Sequence, residues 1–322
     1  MKKFRRTRSE VMRIIFMGTP EFAVPCLEML IKNHTEYSVV CVVTKPDMPK
    51  GRTYRMTPPP VKETAEAAGI PVLQPKSVRT EDFWGVLRSY KPDLFVTAAY
   101  GKILPKELLE IPPMGCINVH ASLLPKYRGA APLWHAVING ERESGITTMM
   151  TDAGMDTGDI LLSDRYPIDA DMTMGELHDA LSHLGPITLK RTLEALANGT
   201  LTRTPQNHEE ATYAPMVNRD TGKIDWSASA QQIHNLVRGT NPFPVSFSFD
   251  ETGARIKIWR TLLTGEKRPL SLEPGTVTEA SKEGILVAAG DAMLRITELQ
   301  GPSAKKMTAG EYVNGHKITK FT

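Results

Sequence analysis

Short apolar runs typical of β-strands alternate with amphipathic stretches over the first two hundred residues, and this alternation constrains the fold more than any other feature. The candidate strands span residues 14–17, 39–43, 93–98, 116–120 and 146–150. Candidate helices lie near residues 22–31, 61–68, 82–89 and 133–138. Strands separated by helical segments predict βα units and an α/β fold with a Rossmann-like parallel sheet.

The alternation of apolar runs and amphipathic stretches ends after residue 199. A capping box from Thr173 to Glu176 predicts a helix that reaches about Ala197, with a break at Gly185–Pro186. Residues 200–218 are polar and lack periodicity, as a linker does. Ser227 is the expected N-cap of a helix that ends at Gly239. Closely spaced candidate strands then predict a small β-barrel, and they span residues 245–249, 255–259, 275–277, 284–288 and 293–299.

At 322 residues the chain is long enough for two domains. We therefore predict a basic N-terminal arm at 1–12, an α/β domain at 13–199, a linker at 200–218 and a β-barrel domain at 219–322. The arm could instead begin a targeting signal, but Gly18, Pro20 and Glu21 interrupt the apolar stretch that follows it.

Composition narrows the functional classes. Cys26, Cys41 and Cys116 are too few and too scattered for a disulfide framework or a zinc site, and each lies in apolar sequence. No apolar run approaches the roughly 20 residues that cross a bilayer, and no histidine spacing suggests a metal. We expect a cytoplasmic protein without a metal or a membrane contact. The net charge of +3 leans only mildly toward polyanionic partners.

Polar side chains gather around the fourth candidate strand. Alternation places Asn118 and His120 on one face near the strand's end, where open parallel sheets bind ligands. Asp156 lies on the loop after the next candidate strand, between Gly154 and Gly158, and could reach the same place. An amide, an imidazole and a carboxylate without a nucleophilic hydroxyl or thiol indicate proton transfer and oxyanion stabilisation.

Two basic segments are candidates for phosphate contacts. Residues 45–60 lack periodicity, and Lys45, Lys50, Arg52 and Arg55 supply positive charge there; the alternative is a plain surface loop. Arg255 and Lys257 alternate with isoleucines, so they share one strand face. Together with the basic residues that follow them, Arg255 and Lys257 could form a basic stripe or could be scattered charge that aids solubility, and the sequence favours neither. The residues that follow are Arg260, Lys267, Arg268, Lys305 and Lys306.

The run Asn118-x-His120-x-Ser-Leu-Leu-Pro, followed downstream by Asp156-Thr-Gly-Asp, resembles the active site of the 10-formyltetrahydrofolate-dependent formyltransferases. Further matches at Tyr100-Gly-Lys-Ile-Leu-Pro, Arg128-Gly-Ala-Ala-Pro and Ile224-Asp-Trp-Ser resemble the members of that family that formylate initiator methionyl-tRNA. The resemblance runs from about Arg13 to the C-terminus.

The resemblance implies a monomeric enzyme that moves a formyl group from 10-formyltetrahydrofolate to the α-amine of initiator methionyl-tRNA. Asn118 and protonated His120 would stabilise the oxyanion, and Asp156 would orient His120 and accept a proton. Arg52 would contact tRNA, and the second domain would have an oligonucleotide-binding type of fold. The folate pocket would be formed by Ser122, Leu123, Leu124, Pro125, Tyr100 and Gly101.

Two alternatives remain. A relative in the same fold would formylate a small amine, such as glycinamide ribonucleotide or an amino sugar, although a separate basic barrel at 219–322 is more than a small substrate needs. A protein of another class would bind RNA through the barrel without catalysis, although the intact Asn118, His120 and Asp156 set argues for an enzyme.

Overall fold

The computed structural model describes residues 11–50 and 54–322, apart from the side chain of Lys50. Residue contacts divide the chain into two compact units. The first comprises the described residues up to Ala130 together with Gly145–Tyr166 and His178–Tyr213, and the second comprises Ala131–Ser144, Pro167–Leu177 and Ala214–Thr322. Residues 1–10 of the expected basic arm lie outside the described residues.

Strands and helices alternate along the chain up to Ala214, as the sequence predicted. In chain order they are β1 (Met12–Gly18), α1 (Val24–Lys32), β2 (Tyr37–Val43), β3 (Met48–Lys50), β4 (Arg55–Thr57), α2 (Pro60–Ala67), β5 (Val72–Leu73), α3 (Glu81–Ser89), β6 (Leu94–Ala98), α4 (Lys106–Leu109), β7 (Cys116–His120), β8 (Arg128–Gly129), α5 (Pro132–Ile138), β9 (Glu143–Met150), β10 (Ile160–Pro167), α6 (Met174–Ala197) and β11 (Tyr213–Ala214). All five strands predicted in this part of the chain are present, and the bounds of β7 match the prediction.

Seven strands form one sheet in the order β10-β9-β7-β6-β1-β2-β5. The neighbours from β7 to β5 run parallel, which confirms the predicted α/β class. The strand β9 differs, because it runs antiparallel to β7 with His120 opposite Thr147 and Ile117 opposite Met150. An antiparallel strand at the end of a parallel sheet is common, and an apolar run such as 146–150 does not reveal its direction.

Helix α6 continues through Gly185 and Pro186, so the predicted break is wrong. Proline inside a helix removes one backbone hydrogen bond and crowds the carbonyl four residues earlier, so a helix that continues through it needs support from its surroundings. The neighbouring glycine brings the helix close to its surroundings: a Cβ at Gly185 would lie 3.4 Å from the Cys26 sulfur and 3.6 Å from a Val119 methyl group. The predicted capping box is confirmed, since Thr173 and Glu176 exchange backbone and side-chain hydrogen bonds. Close packing therefore supports a helix that local propensity would interrupt.

The second unit contains a helix followed by an antiparallel sheet. Its C-terminal elements are α7 (Ala230–Gly239), β12 (Ser246–Phe249), β13 (Arg255–Lys267), β14 (Val277–Ser281), β15 (Gly284–Ala288), β16 (Ala292–Gln300), β17 (Met307–Thr308) and α8 (Ala309–Val313). The N-cap of α7 is Ser229, which forms a capping box with Gln232. The predicted cap, Ser227, is instead bound by its hydroxyl to the Asp225 carboxylate.

The sheet of this unit has the order β12-β13-β16-β15-β14, with β17 paired to β16. Residues 319–322 form hydrogen bonds with the strands at both ends of this sheet. On β12, Phe249 exchanges two backbone hydrogen bonds with Thr322, and on β14 the N–H of Val277 donates to the Thr319 carbonyl. A large apolar core in this unit includes Trp226, Ile233, Ile258 and Phe321, and a smaller buried cluster contains Leu286, Ala288 and Met293. No helix in the described ranges is long and apolar enough to cross a membrane.

Candidate active site

Strand β7 carries two of the three predicted catalytic side chains. Its apolar residues are buried between neighbouring strands, and alternation puts Asn118 and His120 on the same face. Asn118 pairs in register with Thr97 on β6, and the Thr97 hydroxyl donates a hydrogen bond of 2.8 Å to the Asn118 Oδ1. This bond fixes the orientation of the amide. Within the described chain the amide NH₂ of Asn118 has no acceptor, so it remains available to a substrate oxygen.

His120 is buried, and its two ring nitrogens face different groups. Nε2 lies 2.9 Å from the Tyr127 carbonyl oxygen, which can only accept, so Nε2 carries the hydrogen. Nδ1 lies 3.7 Å from Oδ2 of Asp156. This separation exceeds a hydrogen bond, so Nδ1 keeps the capacity to bind another group while the carboxylate stays close.

Asp156 lies on the loop that joins β9 to β10. Its Oδ2 accepts a 2.8 Å hydrogen bond from the backbone N–H of Gly129. Asp152 stabilises the same loop as a turn residue, because its Oδ1 accepts from the Gly154 N–H and the Thr157 hydroxyl. Asp156 lies near His120, within the reach that the sequence analysis expected of it. Because β9 runs antiparallel to β7, the loop reaches this place by folding back toward β7.

The structure adds two residues that the sequence analysis did not select, Arg128 and Gln206. The Arg128 guanidinium is buried and donates from Nε and Nη2 to the Gln206 Oε1. The Gln206 amide in turn donates to the backbone carbonyls of Asp156 and Gly158. No motif marks Gln206, since it lies in the polar segment read as a linker, and only the Arg128-Gly129 match drew attention to its partner.

The turn after β7 contains four of the predicted folate residues, Ser122 to Pro125. The Ser122 hydroxyl donates to the Lys126 carbonyl at 2.7 Å. The Thr147 hydroxyl donates to the Ser122 carbonyl and accepts from the Leu124 N–H, which ties the turn to β9. Leu123 and Pro125 are half-buried, and Leu124 is buried. The turn is therefore fixed in place beside the catalytic face of β7.

The other two predicted folate residues follow β6. Tyr100 packs in the buried apolar cluster with Leu104 and Leu108. Its hydroxyl is buried without a hydrogen-bond partner among the described residues, and burial raises its pKa to about 12. Gly101 has φ +72°, and a Cβ there would lie 2.6 Å from the Lys45 Nζ. A side chain at this position would displace Lys45.

Comparison with known proteins identifies the family of this chain. The family model described as formyl transferase matches residues 12–193, and the model described as formyl transferase, C-terminal domain matches residues 216–317. The chain belongs to the formyl transferase family. Among its curated relatives, the methionyl-tRNA formyltransferase of Acetivibrio thermocellus is 54% identical over 95% of this chain and 97% of the relative. That of Ruminiclostridium cellulolyticum is 51% identical over the same shares.

Solved structures of other formyl transferases share the fold. An N-formyltransferase from Helicobacter canadensis, crystallised with folinic acid and dTDP-3-aminofucose, superimposes with a TM-score of 0.64 at 22% identity, covering 89% of this chain and 99% of that one. HypX from Aquifex aeolicus, solved with tetrahydrofolic acid, gives a TM-score of 0.61 at 18% identity over 97% of this chain and 51% of that one. At these identities the likeness concerns the fold alone.

The basic segment at residues 45–60 contains a β-hairpin that the sequence analysis missed. Strands β3 and β4 pair antiparallel, with Lys50 opposite Arg55. Arg55 is exposed and Lys45 is half-buried. Arg52 and the side chain of Lys50 lie outside the described residues, so their predicted contacts stay predictions. The hairpin also exposes Met48, Met56 and Tyr54, the last to 79%.

The second predicted basic face lies on β13. Lys257 is paired in register with Phe247, and the Arg255 guanidinium stacks 3.6 Å above the ring of Phe247. Other basic residues of the proposed stripe are engaged elsewhere: Arg260 lies near Glu176 and Glu298, Lys306 pairs with Glu298, and Arg268 donates to backbone carbonyls. Lys267 and Lys305 are exposed, so they remain with Arg255 and Lys257 as the residues of the predicted stripe. Across the described ranges, no cluster of three or more His, Cys, Asp or Glu residues is arranged to hold a metal ion.

Proposed function

We propose that this chain transfers the formyl group of 10-formyltetrahydrofolate to the α-amine of methionine esterified to initiator tRNA, in preparation for translation in the cytoplasm. The observation that carries the proposal is the convergence of Asn118, His120 and Asp156 on one face of β7. It occurs in a chain about half identical, over 95% of its length, to methionyl-tRNA formyltransferases. We propose that the chain acts as a monomer.

The acceptor needs no covalent help from the protein. An α-amine has a pKa near ~8, so a neutral nucleophile is present near neutral pH. The folate donor supplies an activated formyl carbon. The site must then position the two reactants and stabilise the negative charge that develops on the formyl oxygen.

Asn118 is one donor to that oxygen. Its carbonyl end is occupied by the Thr97 hydroxyl, so the NH₂ end is oriented before substrate arrives. His120 is the second donor. When the ring is protonated, Nε2–H remains on the Tyr127 carbonyl and Nδ1–H is directed to the formyl oxygen.

Asp156 balances the charge of protonated His120 from 3.7 Å and receives the proton that the attacking amine loses. The Gly129 N–H holds the carboxylate in this position through Oδ2. Oδ1 is then the oxygen that takes the proton.

The residues proposed to hold the folate fit a ligand with both apolar and polar parts. Half-buried Leu123 and Pro125, with buried Leu124 between them, offer an apolar surface. The unpartnered Tyr100 hydroxyl and the free Asn118 amide offer polar contacts that the described protein itself does not use. Ser122 and Gly101 shape the two backbone turns that carry these side chains.

We assign tRNA contacts to Lys45, Lys50, Arg52, Arg55, Arg255 and Lys257. Exposed Arg55 at the hairpin and the exposed Arg255 face of β13 support this assignment, because cationic side chains on the surface supply most of the affinity for phosphates. The exposed ring of Tyr54 adds a surface on which an unpaired base can stack.

A formylation assay with purified protein and 10-formyltetrahydrofolate tests the proposal, with charged initiator and elongator methionyl-tRNA as separate acceptors. We expect transfer to the initiator and much weaker transfer to the elongator. A glycinamide ribonucleotide and an amino-sugar nucleotide serve as further acceptors. Transfer to these small amines alone, or to no acceptor, would refute the proposal.

The tRNA assignment has its own test at Arg52. Arg52→Ala should lower formylation of initiator tRNA at least tenfold and leave folate binding unchanged. The salt dependence of tRNA binding should flatten by about one counterion. Lys32→Ala, which removes an exposed cation at the end of α1, is the matched control. If the Arg52 variant keeps the wild-type rate and salt slope, the recognition of initiator tRNA must lie outside this segment.

A further inference from the structure

Gln206 differs from its neighbours in the segment between α6 and β11. Arg203, Thr204, Pro205, Asn207 and His208 are exposed, whereas the side chain of Gln206 is buried. A polar side chain buried in an otherwise exposed segment costs free energy unless its hydrogen bonds are made. All of the hydrogen-bonding groups of this amide are in fact engaged.

The two ends of the Gln206 amide contact different parts of the site. Oε1 accepts from the Arg128 Nη2 at 2.6 Å and from Nε at 3.1 Å. Nε2 donates to the carbonyl oxygen of Asp156 at 2.8 Å and to that of Gly158 at 2.7 Å. The amide thus joins a buried guanidinium to the backbone of the loop that carries Asp156.

Arg128 is itself unusual, because its side chain is only 1% exposed and no carboxylate is among its hydrogen-bond partners in the described part of the chain. Its Nη1 lies 3.2 Å from the Nδ1 of His208, and its other contacts are to Gln206. A buried charge without a paired carboxylate is expensive. Its hydrogen bonds to Gln206 offset part of this cost and couple the guanidinium to the loop that carries Asp156.

Arg128 stands between two residues that bind catalytic groups. The carbonyl of Tyr127 accepts from His120, and the N–H of Gly129 donates to the Asp156 carboxylate. Tyr127 therefore holds the ring of His120. Arg128 holds the backbone of Asp156 through Gln206, and Gly129 holds the Asp156 side chain. Without Gln206 the carboxylate would keep its contact to Gly129 while the loop backbone behind it was released.

We propose that Gln206 is a positioning residue that fixes the backbone of Asp156 and Gly158 and thereby sets the position of the Asp156 carboxylate relative to His120. The effect on catalysis rests on the proposed function. The effect on the loop does not depend on which amine is formylated.

Gln206→Glu is the informative substitution. The new carboxylate still accepts from Arg128, so the guanidinium keeps its partner. It has no N–H to donate, so the carbonyls of Asp156 and Gly158 lose their hydrogen bonds. Asn207→Ala is the matched control, because among the described residues the hydrogen bonds of that neighbouring side chain go to Glu209 and Glu210 and not to the Asp156 loop.

We expect Gln206→Glu to lower kcat about tenfold to a hundredfold, since small misplacements of a catalytic group have effects of this size. KM for the folate should stay within about twofold, and the pH profile of kcat should shift because the carboxylate has moved relative to His120. Hydrogen exchange at the amides of residues 152–158 should accelerate. Asn207→Ala should match the unsubstituted chain in every measurement.

Unchanged exchange in the 152–158 loop, or an unchanged kcat and pH profile, would overturn the inference. So would a loss of kcat accompanied by faster exchange throughout the first unit, since that pattern indicates general destabilisation. If the unsubstituted chain formylates no methionyl-tRNA, the proposed function fails, and the exchange measurement still decides the inference.

Discussion

Each unit of the molecule contains a buried histidine beside an aspartate. The two pairs differ in the exposure of the carboxylate, and the distance between histidine and aspartate does not reveal this difference. His120 Nδ1 lies 3.7 Å from Asp156, and His234 Nε2 lies only 3.2 Å from Asp171. The closer pair is the one to which we assign no chemistry. The Asp156 side chain is 18% exposed, whereas that of Asp171 is 73% exposed.

The hydrogen bonds of His234 explain its different character. Its Nδ1 lies 3.0 Å from the Thr261 hydroxyl and its Nε2 lies 3.3 Å from the Ala170 carbonyl, so both nitrogens are engaged by neutral groups. Burial lowers the pKa of His234, and the attraction of Asp171 does not reverse this because water screens an exposed carboxylate. The Asp156 carboxylate is better shielded from water than that of Asp171, which is one reason to propose His120 and Asp156 as the catalytic pair.

The sharpest test of this comparison removes each carboxylate in turn. Asp156→Asn keeps the shape of the side chain but removes the charge and the proton acceptor. We expect turnover to fall at least ~100-fold while folate binding changes little. Asp171→Asn should leave turnover within about twofold. Steady-state kinetics and direct folate titration of both variants measure the difference.

Equal losses of turnover in the two variants would break the distinction between the pairs. Near-normal turnover of Asp156→Asn would remove that residue from the mechanism.

A second test moves the Asp156 loop without changing any catalytic side chain. A Cβ at Gly158 would lie 1.7 Å from the Met150 carbonyl oxygen, so Gly158→Ala must displace the loop. We expect kcat to fall about tenfold to a hundredfold because the carboxylate shifts. Gly85→Ala in α3 is the control, since an added Cβ there meets nothing within 4 Å and alanine favours a helix by up to about 1 kcal/mol.

If Gly158→Ala keeps the full kcat, the exact placement of the loop does not matter to the reaction. Thermal unfolding of the two variants separates loop displacement from general loss of stability.

The smallest expected effect concerns His234 and stability. Because its pKa in the folded protein is below the ordinary value of 6.5, the unfolded chain binds more protons just below that pH. The contribution of His234 to stability is therefore complete above about pH 6.5 and is lost as the pH falls toward the lowered pKa. His234→Gln removes this dependence. The stability difference between wild type and variant, measured by denaturant unfolding, should shrink from pH 8 to pH 5.5.

A difference that grows as the pH falls would mean that Asp171 holds His234 in its charged form, and the two pairs would then be alike.

The sequence alone was sufficient to predict an element wherever the local residue pattern and the burial of that element agree. The strand β7 has the predicted bounds because its apolar residues are buried on both sides, and its alternation placed Asn118 and His120 together. The sequence alone was insufficient where contacts between residues far apart in the chain determine the structure. The direction of β9 depends on its pairing with β7, and the continuity of α6 depends on the fit of Gly185 against Cys26 and Val119.

Gln206 shows the same limit within the site. Its importance arises from partners 78 and 48 residues away, Arg128 and Gly158, and nothing in the polar sequence around it indicates burial. The hairpin of β3 and β4 was missed because each strand has only three residues and one contains a proline. Short strands give too few residues for a period of two to be recognised.

The last four residues of the chain have a consequence for handling the protein. Thr319 to Thr322 bond to β12 on one side and to the start of β14 on the other, so they cover the two outermost strands of the second sheet. Trimming by a carboxypeptidase would leave rows of unpaired N–H and carbonyl groups that invite pairing with another molecule. Loss of so short a segment would therefore appear first as aggregation during storage.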